Sequence, residues 1–152
     1  MATGEVVNLN EPHSPLANSI SAFDVVVSTI KAEIIKSRRD WDRHEPRMWS
    51  RAKELSDHQL IDFTIEKDLV KVRSGATSYG TIIFGKIRIP RVQDDEGEGF
   101  VHVRIHDPPN RGTEDVCFHS IFTDEGNRDA EGRATTWRAI QTRDTPLEFF
   151  NE

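Results

Sequence analysis

The stretch 100-FVHVRIH-106 decides the fold. Val101, Val103 and Ile105 alternate with Phe100, His102, Arg104 and His106. Side chains two positions apart share one face of a β-strand, so the aliphatic set lies on one face and the imidazole and guanidinium set on the other. The next apolar stretch, Asp115–Phe122, alternates in the same way. Val116, Phe118 and Phe122 fall on one side, with Cys117, His119 and Ile121 on the other. If the two stretches form a hairpin, their apolar sets must meet one core, and this fixes the parity of the pairing.

A hairpin closing around Asn110 and Arg111 sets His102 beside His119 and Arg104 beside Cys117. Directly opposed residues have Cβ atoms about 4.5–5.5 Å apart, close enough for two imidazoles to relay a proton or perturb each other.

Working outward, period two extends over Leu69–Ser74 and Thr81–Ile89, and the last strand is expected over Arg133–Thr142. In the second of these, Ile83, Ile87 and Ile89 oppose Phe84, Lys86 and Arg88, and Gly85 marks an expected bulge or bend. Upstream of Asp68 the period is helical. Ile20, Phe23, Val27, Ile30 and Ile34 recur at three- and four-residue steps, which predicts one amphipathic helix of about five turns, capped by Asn18, Ser19 or Ser21. Pro46 suits the first turn of a second helix bearing Met48, Trp49, Ala52 and Leu55. Ser56 with Gln59 has the form of a capping box for a third.

The expected class is therefore α+β: N-terminal helices on a curved, mainly antiparallel sheet of about five strands. That element order resembles the cone-like layout of NTF2-like proteins, as an analogy of layout alone, with no motif behind it. Residues 1–17 are expected to form a flexible tail whose end packs on the body, and residues 18–152 a single domain.

Composition narrows the classes. The chain of 152 residues has 36% hydrophobic and 30% charged residues, which suits a well-solvated globule. Its formal net charge of -6 sets nucleic acid aside as an expected partner. No apolar run reaches the roughly 20 residues of a membrane span. The first fifteen residues lack the basic start and apolar stretch of a secretory leader, and Cys117 is the only cysteine, so no internal disulfide is available. A cytoplasmic location is the expectation. No phosphate loop, dinucleotide fingerprint or paired-cysteine zinc motif occurs, so no cofactor is expected. No metal is expected either, since His102 and His106 lie roughly 13 Å apart along a strand, too far for one ion.

Two functions are compatible with these residues. The first is a small-molecule acid–base enzyme of the isomerase, cyclase or dehydratase type. His102 and His119 would transfer protons, Arg88 and Arg104 would steady negative charge, Cys117 would line the pocket, and Trp49 or Asp24 would close it. The second is a non-catalytic interaction or ligand-binding module. It would use the sheet face, with a homodimer as one assembly, or the segment Lys36–Lys53, where seven basic residues interleave with Trp41 and Trp49. Against both stands an ordinary antiparallel sheet whose polar face is simply wet.

Overall fold

The computed structural model describes residues 9–41, 49–77, 80–94, 97–108, 116–125, 130–131 and 137–150. Four antiparallel strands form one open sheet in the order β1-β2-β3-β4: β1 Leu69–Thr77, β2 Gly80–Asp94, β3 Gly97–Asp107 and β4 Cys117–Ile121. The class is thus α+β, with four strands in the sheet where about five were expected. Of the described part of the expected last strand, Trp137–Arg138 (β6) pairs with Asp124–Glu125 (β5) in a separate two-stranded ladder. Further along, Gln141 exchanges backbone hydrogen bonds with Phe100 and so prolongs the edge of β3.

The helices are α1 (Ala17–Val25), α2 (Val27–Trp41), α3 (Asp57–Leu60) and α4 (Ile65–Asp68), with a 3-10 turn at Ser50–Ala52. The expected five-turn helix is interrupted at Val26, whose φ of -107° and ψ of 8° leave the helical region. The stripe survives the interruption: Phe23, Val26, Ile30 and Ile34 are buried. Helix α1 begins after Leu16, which makes no side-chain cap, rather than behind a serine or asparagine oxygen. The capping box at Ser56 and Gln59 forms in full. The helix start expected at Pro46 lies outside the described residues. Among the described residues no helix is long and apolar enough to cross a membrane.

The helices pack against Ile83, Ile87, Ile89, Val101, Val103 and Ile105, the aliphatic face that the alternation predicts. Gly85 is no bulge. It sits in regular register between Val72 and Val103, and its missing side chain makes room for Phe23: a Cβ there would come within 2.4 Å of the Phe23 ring. Phe23 is fully buried and cannot withdraw, so Gly85→Ala is expected to lower stability by about 1–3 kcal/mol in urea unfolding. Adding Phe23→Leu should return part of that loss. A wild-type midpoint for Gly85→Ala would contradict this packing.

Two irregularities aim side chains. Leu69 faces Ile87 and Lys71 faces Lys86, so Val70 is an extra residue in β1. Arg104 faces Ser120 while Ile105 faces Phe118, so His119 is an extra residue in β4. At each bulge two successive side chains turn away from the helices.

Candidate functional site

The face of the sheet opposite the helices carries Arg73 on β1, Phe84, Lys86 and Arg88 on β2, and Phe100, His102 and Arg104 on β3. It is not wet. His102 and Arg104 are each 1% exposed and Lys86 is 4% exposed. The cover is the C-terminal segment 141–150, which returns across this face. Leu147, Phe149 and Phe150, with Leu9, pack on Ile82 and Phe84 as a second apolar cluster. Three sheet cations donate to its backbone carbonyls. Lys86 Nζ reaches Arg143 O at 2.7 Å and Thr145 O at 2.8 Å, Arg73 Nη1 reaches Leu147 O at 2.8 Å, and Arg104 Nη1 reaches Phe150 O at 2.7 Å. The segment is held as an extended peptide would be held in a groove: carbonyls by cations, side chains by aromatic rings.

The expected pairing of His102 with His119 does not occur. The register is shifted by two residues from the expected one, and the bulge in β4 shifts it by one more, so that His106 faces Cys117 and Arg104 faces Ser120. His102 stacks on Phe122 at 5.8 Å between centroids, and its carbonyl accepts from the Phe122 amide at 2.8 Å. His119 lies over His106 at 5.4 Å with the rings 8° from parallel, and its Nδ1 accepts from Arg104 Nε at 3.1 Å. An accepting Nδ1 puts the proton of the neutral His119 ring on Nε2. The expected neighbours Arg104 and Cys117 are likewise apart, and Cys117 is exposed.

Trp49 stands on the other side of the sheet. It is buried in the helical core, and its indole Nε1 donates to Ser37 Oγ at 3.1 Å, so it cannot close a site on the His/Arg face. Asp24 is exposed on α1, on that same helical side. Arg88 does share a face with His102, Lys86 being directly opposite His102 and Arg88 opposite Phe100. Its guanidinium is engaged by Asp68 and Glu98, which raise its pKa further, Glu98 contributing most. In the basic segment, Arg38 donates to Ala52 O, Leu55 O and Asp57, and Arg51 donates to Gly97 O, so both help build the fold. Lys36, Arg39 and Lys53 remain at the surface.

Between this face and the 143–148 stretch lies a cavity of about 460 Å³. Val70, Phe100, Pro146 and Leu147 supply apolar wall, Lys71, Arg73, Lys86 and Arg88 supply cationic wall, and Glu98, Asp144 and Glu148 also line it, Glu98 being paired with Arg88. Of the residues expected to form a site, Arg88 is the one that lines it. Lys86 was missed as a site residue, although its place opposite His102 follows from the alternation. Burial brings its pKa down to about 8, with Asp144 pulling weakly the other way. The imidazole of His102 is pushed down to about 3, first by burial and then by the charge of Lys86, and its Nε2 has no hydrogen-bond partner. Among the described residues no group of three His, Cys, Asp or Glu side chains is placed to hold a metal ion.

Fold and cavity together define an α+β chain with a cationic, partly apolar recess under its own C-terminal segment. The chain matches no family model, no curated protein and no solved structure.

Proposed function

We propose that the chain is a binding module for a small anionic molecule with an apolar body, taken into the cavity between the sheet and the 143–148 stretch. One observation carries this reading. Lys86 is almost wholly buried on the cavity wall, yet among the described residues no carboxylate lies within ion-pair distance of its ammonium. A desolvated cation held by two carbonyl oxygens and the Phe100 ring, without a counter-charge, is an incomplete electrostatic arrangement, and an anion completes it. Lys71 and Arg73 add positive potential on the β1 side, while Phe100 and Leu147 offer the apolar contact. A charge-assisted hydrogen bond is worth roughly 1.5–3 kcal/mol, or about 10–150-fold in affinity.

Titration of aryl and medium-chain carboxylates, followed by amide NMR shifts, tests the proposal. Carboxylates should move the amides of Lys86, Phe100 and residues 143–148, and bind at least about tenfold tighter than the neutral amides of the same shape. Lys86→Met should remove that preference. Equal affinity for acid and amide, or shifts confined to other parts of the chain, would overturn it.

A second reading, acid–base catalysis of the isomerase, cyclase or dehydratase type, is favoured by Lys86 itself, whose pKa near 8 allows proton exchange close to neutrality. His102, at about 3, exchanges no proton there, and His119 faces Arg104 rather than the cavity. That reading brings with it the cone-like NTF2 layout, a homodimer and a cytoplasmic setting. Light scattering of the purified chain tests the dimer.

A further inference from the structure

We infer that Lys86 captures carbonyl groups: its amine forms a reversible imine with a small aldehyde or ketone that also carries a carboxylate. The inference rests on the binding proposal and gives the ligand a second functional group. It starts from how Lys86 is held. Its Nζ donates to two acceptors, Arg143 O and Thr145 O. A neutral amine has two N–H bonds and one lone pair, so these two carbonyls use its whole donor capacity and leave the lone pair free. An ammonium in the same place has a third N–H, and among the described residues no carboxylate is there to receive it.

The charged groups around Lys86 come from every element packed on it: Lys71 and Arg73 from β1, Arg88 from β2, His102 and Glu98 from β3, and Arg143, Asp144 and Glu148 from the C-terminal segment. Burial disfavours the ammonium, and of these charges Asp144 acts the other way. The Phe100 ring, 4.9 Å from Nζ, also opposes burial, since a π-face favours the cation. Desolvation prevails, and the pKa is about 8. At pH 7.5 roughly a quarter of such amines are neutral, against about one in a thousand for an ordinary lysine.

The chemistry balances without a cofactor. The Nζ lone pair attacks the carbonyl carbon, the C–N bond forms, and the carbonyl π pair moves to oxygen. A proton passes from nitrogen to that oxygen through solvent, giving a carbinolamine. A second proton, from solvent, lets the hydroxyl leave as water as the nitrogen lone pair forms the C=N bond, giving the protonated imine. The protonated imine keeps one N–H, so one of the two carbonyls loses its donor on capture. The ligand's carboxylate lies toward Lys71 and Arg73 on the β1 side of the cavity.

The test uses the full chain at pH 7.5 with 4-carboxybenzaldehyde and cyanoborohydride, which reduces the imine to a stable secondary amine. Peptide mass mapping then compares Lys86 with Lys31, Lys36, Lys53, Lys67 and Lys71. Lys86 is expected to be modified at least about tenfold faster than any of these, and Lys86→Arg, which keeps charge and donors, should lose the fast phase. Labelling of Lys86 no faster than the surface lysines, or only in urea, overturns the inference. The non-electrophilic analogue 4-methylbenzoate separates the two ideas. If it binds and Lys86 is not modified, imine capture fails and anion binding stands. If neither probe engages the cavity, both fail.

Discussion

Phe84→Ala is expected to cost about 3–5 kcal/mol of folding stability and to release the C-terminal segment from the sheet. Phe84 lies on the face away from the helices, where a simple two-layer protein would tolerate the change within about 0.5 kcal/mol. Here it is fully buried, with ring contacts at 5.6 Å to Phe149 and 5.1 Å to Phe150 and the Arg104 guanidinium 6.0 Å from its centroid. Truncation leaves a cavity at the centre of the second apolar cluster, removes the ring contact of Phe149 and leaves Phe150 in ring contact with Phe122. The carbonyl of Phe150 then loses its fixed position over Arg104, which would stay buried with one donor unsatisfied. Urea unfolding measures the loss, and limited proteolysis or amide exchange over residues 143–150 measures the release. Phe84→Leu, which keeps most of the volume, should lose less than about 1.5 kcal/mol. A Phe84→Ala protein with wild-type stability and a protected C-terminal segment would mean that the segment is not held by this cluster.

That cluster also shows where the sequence stops being readable. Alternation assigned every residue of Phe100–His106, and Phe84, Lys86 and Arg88, to the faces they occupy, because a strand with one face on a core has no freedom of parity. The capping box at Ser56 and the buried stripe from Phe23 to Ile34 were legible for similar local reasons. The His102–His119 pairing was not. It assumed an unbroken β4 in a register two residues away from the one that puts His106 opposite Cys117, and one extra residue at His119 puts both His119 and Ser120 on one face and moves every partner after it by one more. Alternation cannot announce a bulge, since Phe118 and Ile121 are both apolar and either parity looks acceptable. The cover of the second face was likewise beyond local pattern. Leu147, Phe149 and Phe150 are apolar, but where they dock depends on carbonyl oxygens, which carry no sequence label. Trp49 was misplaced because an indole suits a pocket and a core equally well, and only packing decides between them.

The same covered face makes acid sensitivity a property of one residue. His102 takes up a proton at about 3 in the folded chain, against 6.5 for an ordinary histidine, because its ring is buried between Phe122 and the sheet with Lys86 opposite. Above pH 6.5 the ring is neutral both folded and unfolded, and the shift has no effect on stability. Between 6.5 and 3 the unfolded chain gains a proton that the folded chain refuses, so stability falls as pH falls across that window. The full difference is about 5 kcal/mol, and by pH 4.5 about 3 kcal/mol should already be lost. His102→Leu abolishes the proton uptake and also removes a buried Nε2 that has no partner. Its stability at pH 7 is therefore expected to match or exceed that of the wild type, and its loss between pH 7 and 4.5 to stay below about 1 kcal/mol. Below pH 3 the two proteins should decline together, since Asp57, whose pKa is lowered by its hydrogen bonds to Arg38 and then Arg39, loses its charge in both. Urea denaturation at pH 7.0 and 4.5 gives the comparison directly. Equal losses in the two proteins would show that His102 is hydrated, and with it that the C-terminal segment does not seal this face of the sheet.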